Sequence, residues 1–402
     1  MQSSRDTQAW SEFDRMAMER AFALAERGLY TTDPNPRVGC VLTRDGRIVG
    51  EGWHERTGEA HAEVMALRAA GGDSRGATAY VTLEPCAHHG RTPPCAEALI
   101  AAGVKAVIYA IDDPNPRVAG GGATRLAAAG VAVSSGLMAI EAEALNPGFL
   151  KRMRQGLPWV RLKLGASLDG RTALADGRSQ WITGAAARED VQRYRARSSV
   201  LLTGIGTVLA DDPRLDVRLP DATRQPLRVV LDSRLRTPPT ARLFTCAGPV
   251  LLFAVAGDVA GGAKEGVAAD APAAGVATNG ADTAVARRRA LEQRGARVES
   301  LPADAAGHVP LREALQRLAA LEANEVMVEA GATLAGALLA AGLVDELLVY
   351  LAPSLLGPDA RPLAALPPLH DLAQRWRLNF TEIARVGEDL RISARVLPRM
   401  SG

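Results

Sequence analysis

Apolar positions in residues 13 to 28 (FDRMAMERAFALAERG) recur at helical spacing. That pattern predicts an amphipathic helix closed by Gly28 as a C-cap. VGCVLTRDGRIVGEGWH then gives two β-rich runs about Asp45-Gly46, a hairpin signal. HAEVMALRAAG predicts a helix closed by glycine, and ATAYVTLEPC a buried strand that runs into a loop. CAEALIAAGV predicts a helix, KAVIYAIDD a strand, and TRLAAAGVAV continues the alternation. The first ~150 residues therefore form an α/β pattern of one domain's size.

Asn146 to Pro158 (NPGFLKRMRQGLP) holds prolines, glycines and a basic cluster, which predicts the domain junction. PWVRLKLGASLDG opens a second β-rich unit. Helical patterns at 185–197 and 311–320 alternate there with strands at 199–203, 227–232, 249–254, 325–329 and 346–351. This is a second α/β domain, without the Gly-x-Gly-x-x-Gly fingerprint of an ordinary dinucleotide-binding fold. Residues 255 to 284 are Ala/Gly-rich with few large apolar residues, which predicts a flexible surface insertion.

The 402 residues suit two domains, or three, and 47% hydrophobic content is enough for sizeable cores. The formal net charge is +2 with both signs mixed, and no basic block suggests a nucleic-acid partner. The polar N-terminus lacks the apolar core of a signal peptide, and no apolar run is long enough to span a membrane. Four cysteines are too few for a disulfide scaffold. The expectation is a cytoplasmic protein in a reducing compartment, with no membrane partner.

One hexapeptide, DPNPRV, stands at Asp33 to Val38 and again at Asp113 to Val118. The first copy follows a helix and the second a strand, so a duplicated domain is rejected. Each proline fixes φ and restricts the residue before it, which presents Asn35 and Asn115 from stiff loops. Two rigid turns that coincide in sequence remain an equal reading.

The strongest chemical signal is His61-Ala62-Glu63, followed by Glu84-Pro85-Cys86 and Cys95. One imidazole and two thiolates supply three tetrahedral zinc ligands and leave a fourth position for water. The pattern H-x-E…P-C-x-x-C belongs to zinc nucleobase deaminases, in which the Glu shuttles protons. Here eight residues separate Cys86 from Cys95 instead of two. A structural zinc site stays open, because His88 or His89 could add a fourth ligand. Cys40 and Cys246 fit no motif and are taken as packing residues.

EPCAHHGRTPPC with HAEVMAL upstream resembles the bifunctional riboflavin-biosynthesis deaminase/reductase family, in which the longer Cys-to-Cys spacing occurs. The resemblance covers about residues 13 to 395, apart from the Ala/Gly-rich insertion. It implies a cytidine-deaminase-like α/β/α domain at 13–147 and a dihydrofolate-reductase-like α/β domain at 158–400. It implies that His61, Cys86 and Cys95 bind Zn2+, that Glu63 is the proton shuttle, and that Asn35, His54, His88 and Arg91 contact the substrate. In the second domain, KLGASLDGRTA, GRSQWITG, GIGTVLADDPRLDVR, RVVLDSRLR and VMVEAGATLAGALLAAG resemble the reductase half. There the resemblance implies that Trp181, Thr207, Asp211, Ser233 and the turn of Gly331, Ala332, Thr333 and Leu334 contact NADPH. The same resemblance implies that Ser179, Arg195, Leu215 and Arg218 contact the substrate, with the arginines nearest its phosphate. It also implies that Lys163, Asp211 and Glu329 form the polar cluster around the reacting ribose.

The implied partner is a small phosphorylated pyrimidine, and a homo-oligomer stays open. Two alternatives remain. One is a deaminase for another pyrimidine or for tRNA, with an inactive second domain. The other is a structural-zinc binding module, which a fourth protein ligand on the metal would favour.

Overall fold

The computed structural model describes residues 9–87, 94–115, 119–256 and 284–399. Its chain divides into two compact units, one ending at Leu157 and the other beginning at Pro158.

The first unit opens with α1 (Glu12–Ala25), which starts at a capping box between Ser11 and Asp14. The Asp14 carboxylate also accepts the Tyr80 hydroxyl at 2.6 Å, tying the helix to the sheet. Gly28 ends the following turn but is not a left-handed cap. A Cβ there would lie 2.7 Å from Thr32 Cγ2 and 2.9 Å from the His54 carbonyl oxygen, so smallness is what the position requires. β1 (Gly39–Arg44) and β2 (Arg47–Trp53) pair antiparallel. Asp45 and Gly46 turn between them with φ of 52° and 74°, as the sequence signal predicts.

The remaining elements are α2 (Ala62–Ala70), β3 (Thr78–Val81), α3 (Cys95–Ala101), β4 (Ala106–Tyr109), α4 (Gly121–Ala128), β5 (Ala132–Ser135), α5 (Ala139–Leu145) and α6 (Pro147–Gln155). The sheet runs β2-β1-β3-β4-β5, antiparallel around β1 and parallel from β3 onward. Both faces are covered. Cys40 and Leu42 point into one core with Ala66, Leu99 and Val107, while Val41 between them joins Met18, Phe22 and Leu137. That is the alternation of a strand buried on both sides.

The proline-rich stretch after Asn146 is helical. Phe149 and Leu150 of α6 are buried with Leu83. Asn146 exchanges two hydrogen bonds with the Arg37 backbone, at 2.9 and 2.8 Å, and so anchors the end of the first DPNPRV.

The second unit contains β6 (Trp159–Ser167), β7 (Arg171–Ala173), α7 (Ala185–Arg197), β8 (Val200–Gly204), α8 (Ile205–Asp211), β9 (Leu227–Leu231), β10 (Val250–Val255), α9 (Ala284–Gln293), β11 (Ala296–Leu301) and α10 (Leu311–Ala320). It continues with β12 (Glu325–Glu329), α11 (Ala332–Ala340), β13 (Glu346–Ala352), β14 (Arg361–Pro362), β15 (Leu378–Val386) and β16 (Asp389–Val396). Nine strands form one sheet in the order β11-β10-β9-β8-β12-β6-β13-β16-β15. The first seven of these run parallel and the last two add an antiparallel hairpin. β7 and β14 pair separately. Most of the Ala/Gly-rich insertion, residues 257–283, lies outside the described residues.

Candidate active sites

The first site forms where α2, α3 and the segment after β3 meet. Gly50 and Gly52 of β2 let α2 lie directly on the sheet. A Cβ on Gly52 would fall 2.4 Å from the Ala66 nitrogen and 2.5 Å from the Ala62 oxygen. This contact fixes the N-terminal end of α2, where His61 is the N-cap and Glu63 sits in the first turn. Cys95 is the first residue of α3.

His61 Nδ1 lies 3.7 Å from Cys86 Sγ and 3.3 Å from Cys95 Sγ. The three donor atoms all fall within 4.8 Å of one another, and among the described residues the cluster stops at three. One imidazole and two thiols, facing inward at this spacing, fit a tetrahedral zinc ion with an open position. Cys95 hydrogen-bonds Cys86 and holds its thiol down to about 4, against burial that would raise it. The same bond, with burial, pushes Cys95 up. His61 is raised, first by its bond to Cys86. Glu63 is 3% exposed with His61, Cys86 and Cys95 around it, and burial raises its carboxyl.

His54 completes the wall. Its ring stands edge-on to His61, 5.4 Å between centroids at 82°. Nδ1 lies 3.1 Å from the Ala60 carbonyl oxygen and Nε2 lies 3.1 Å from Asn35 Nδ2. A neutral ring satisfies both, donating from Nδ1 and accepting at Nε2. Burial also lowers its pKa. Asn35, His54, His61, Glu63, Cys86 and Cys95 thus form one connected group. His88 and Arg91 lie outside the described residues.

The second site gathers at the carboxyl ends of the parallel strands, where open α/β sheets bind ligands. Lys163 of β6 and Glu329 of β12 are register partners. Arg195 in the last turn of α7 donates from Nε and Nη2 to both Glu329 oxygens, at 2.6 and 2.9 Å, and from Nη1 to the Asp216 carbonyl at 2.9 Å. Burial would raise Glu329, but the Arg195 charge and hydrogen bonds outweigh it and hold the carboxyl below its ordinary value. Burial lowers Lys163, opposed by Glu329. A Cβ on Gly165 would sit 3.5 Å from both Lys163 Nζ and Thr183, so the loop of Trp181 approaches the lysine. Trp181 itself is exposed beneath the Arg188 guanidinium, 4.5 Å from the ring centre.

Ser179 hydrogen-bonds Asp211, whose carboxyl is raised by burial against that bond. Leu215 is buried in the core with φ of 50°, and it carries the chain from Arg214 to Asp216. Arg218 bonds Asp216 at 2.5 Å and keeps about half of its side chain exposed. Thr207 lies on α8 just after Gly204, and a Cβ on Gly204 would meet Leu334 at 3.3 Å. The Gly331 to Leu334 turn opens α11. These turns follow the neighbouring strands β8 and β12, and Ser233 follows β9 on the other side of β8. Ser233 accepts the Val309 backbone N–H at 3.2 Å. Two roles had no sequence signal: the pairing of Arg195 with Glu329, and the burial of Glu84 ahead of Cys86.

These two centres define a class, a deaminase domain of the zinc type joined to a reductase domain. Residues 11–111 match the cytidine and deoxycytidylate deaminase zinc-binding region, and residues 158–392 match the RibD C-terminal domain. The chain is 51% identical to the riboflavin biosynthesis protein RibD of Escherichia coli over 94% of its own length and 98% of that protein's. It is 46% identical to the Haemophilus influenzae protein of the same description, covering 96% and 98%. Among solved structures, Acinetobacter baumannii RibD is 43% identical with a TM-score of 0.83, covering 96% of this chain and 99% of that one. A diaminohydroxyphosphoribosylaminopyrimidine deaminase/5-amino-6-(5-phosphoribosylamino)uracil reductase from Thermotoga maritima is 30% identical, with a TM-score of 0.78 and the same coverages. The chain belongs to the RibD family of riboflavin-biosynthesis proteins. It is a bifunctional deaminase and reductase, with zinc and NADPH as cofactors. The expected cytidine-deaminase-like and reductase folds are borne out.

Proposed function

We propose that the chain deaminates 2,5-diamino-6-(5-phosphoribosylamino)pyrimidin-4(3H)-one to the uracil and then reduces its ribosyl group to ribityl. The first step belongs to residues 13–147 and the second to residues 158–400. The observation that carries the reading is the His61, Cys86 and Cys95 cluster with Glu63 buried beside it.

His61, Cys86 and Cys95 would hold the zinc, which when bound supplies the Lewis acidity that makes water a nucleophile at neutral pH. Glu63 takes the proton from the attacking water and returns it to the leaving amine, which departs as ammonia. The His54 ring holds Asn35 from one side, so the Asn35 amide can read the pyrimidine edge. His88 and Arg91 contact the substrate, the arginine at its phosphate.

In the reductase half, NADPH when bound supplies the hydride. Trp181, Thr207, Asp211, Ser233 and residues 331–334 form its cradle, and Ser179, Arg195, Leu215 and Arg218 shape the substrate side. Lys163, Asp211 and Glu329 form the polar cluster that orients the ribose carbon receiving the hydride, a step that needs few catalytic side chains. The substrate is a free small molecule. The unpaired thiols at the metal cluster suit a reducing cytoplasm. Among the described residues no helix is long and apolar enough to cross a membrane.

The test is product mass spectrometry on the zinc-loaded protein, with the pyrimidine made from GTP by a cyclohydrolase. Exchange of amino for carbonyl without NADPH, then gain of two hydrogens with it, is the expected result. No change in mass under either condition would overturn the substrate assignment.

A further inference from the structure

Glu84 is 3% exposed, yet neither half-reaction uses it. It lies two residues ahead of Cys86. Its Oε2 accepts the backbone N–H groups of Asp113 and Gly120, at 3.3 and 3.1 Å, and its Oε1 accepts that of Ala123 at 3.1 Å. Its own N–H donates to the Ile111 carbonyl at 3.0 Å. The carboxylate therefore closes the first turn of α4 from outside, where the N-cap is Gly120 and supplies no side chain. It also binds the opening of the second DPNPRV, whose Asp113 accepts the Asn115 N–H at 2.8 Å.

The join is tight. A Cβ on Gly122 would sit 1.7 Å from the Pro85 carbonyl oxygen. On the far side, the Cys86 carbonyl accepts the Ala96 N–H at 3.1 Å and Cys86 Sγ accepts the Cys95 N–H at 3.3 Å. Only Pro85, with its φ fixed by the ring, separates the anchored Glu84 from Cys86. A shift of the Glu84 carboxylate would carry through to the sulfur.

We propose that Glu84 is a positioning residue for the metal centre. It fixes the Cys86 sulfur against His61 and Cys95 by gripping three backbone N–H groups of the loop before α4 and of its first turn. The inference rests on the reading that His61, Cys86 and Cys95 hold zinc. It also gives the second DPNPRV a role, because that loop supplies part of the anchor.

The experiment is zinc affinity of the full chain by competition with a chelator, for wild type and Glu84→Gln. Glutamine offers one acceptor oxygen where the carboxylate offers two. We expect zinc binding weakened by about 10-fold or more, the scale known for groups that orient metal ligands. Deaminase turnover should recover in excess zinc, which an unfolded deaminase unit would not allow, and reductase turnover should stay unchanged. Affinity within about two-fold of wild type, even with a lowered melting temperature, would leave Glu84 a helix cap only and overturn the proposal. If Glu84→Gln unfolds the deaminase unit, Ala123→Pro removes a single donor and keeps the carboxylate. It should weaken zinc less but measurably, and unchanged affinity there also overturns the proposal. A wild-type chain that takes up no zinc would instead defeat the ligand assignment itself.

Discussion

Arg195 holds Glu329 by both oxygens, with Nε and Nη2 at 2.6 and 2.9 Å, across a sequence separation of 134 residues. Such a two-pronged pair fixes the plane of the carboxylate as well as its charge. Lys163 lies beside it on the adjacent strand. Two cations around one carboxylate leave a net positive pocket, which suits a phosphorylated substrate. Arg195 spends most of its reach on Glu329 and Asp216, while about half of the Arg218 side chain meets solvent. Of the two arginines, Arg218 is therefore the freer to meet a phosphate.

The same pair predicts a pH dependence of stability. Glu329 sits below its ordinary value in the folded chain, and the unfolded carboxyl lies at ~4.3. The unfolded state therefore binds more protons in that window. The stabilisation is full above the unfolded value and is lost as pH falls through the folded one. Glu329→Gln should cost about 3 kcal/mol at neutral pH, because it leaves Arg195 and Lys163 buried without their anion. The gap to wild type should narrow as the pH falls from the ordinary carboxylate range through the lowered folded value. Urea unfolding at a series of pH values checks this. A gap that stays constant across the acid range would show that the carboxylate charge contributes nothing.

Glu63→Gln separates proton transfer from metal binding. The side chain is buried beside the cluster but is not one of its three donors. Zinc content should match wild type, while deamination falls by at least ~100-fold, the scale of general acid–base catalysis. Reductase turnover should not change. Elemental analysis and product formation measure the two separately. Loss of zinc, or deamination at the wild-type rate, contradicts the role.

Much of this was legible in the chain. The hairpin at Asp45-Gly46 and the helices at 185–197 and 311–320 follow local rules of turn chemistry and spacing, and the structure has them. The metal cluster was legible because its residue types are rare and their spacing is specific. Other features depend on packing that no local pattern encodes. Gly28 reads as a cap, yet its constraint comes from Thr32 and His54. The stretch from Asn146 to Pro158 reads as a junction and the two units do divide at its end, but the helix within it was not legible, because its apolar face depends on finding Leu83. Glu84 stands in the metal motif, yet its own role was not legible, because its partners are backbone N–H groups, which carry no residue identity. The nature of Lys163 depends on Glu329 lying one strand away, which sheet order alone decides.

Arg161 offers a prediction away from both centres. Its guanidinium is buried at the start of β6, bonded to Glu325 at 3.0 Å and to Glu346 at 3.0 and 3.1 Å. Arg197 also reaches Glu325, at 3.2 Å. Arg161→Met removes the central cation and leaves two largely buried carboxylates to repel each other. The expected loss is about 3–5 kcal/mol in the unit that begins at Pro158, the scale for breaking a buried pair. Thermal unfolding followed through reductase activity should show it, with deaminase activity retained. An unchanged midpoint would mean that the network contributes no net stability.

The two copies of DPNPRV can be compared through their asparagines. Asn35 places its side-chain nitrogen 3.1 Å from His54 Nε2, within the connected group around the metal cluster. The Asn115 backbone N–H donates to Asp113 at 2.8 Å, in the loop that Glu84 anchors, away from the His54 ring that Asn35 meets. Asn35→Ala should lower deaminase turnover per KM by ~10–100-fold, equivalent to losing one or two good hydrogen bonds in a dry site. Asn115→Ala should change it by less than about three-fold. Asp113→Ala falls between, because it removes the acceptor that shapes the loop while the Asp113 N–H still binds Glu84. Steady-state deamination by the three variants tests the order. Equal and negligible losses for both asparagines would make the repeated hexapeptide two stiff turns and nothing more. A larger loss at Asn115 would move the reading of the base to the second loop.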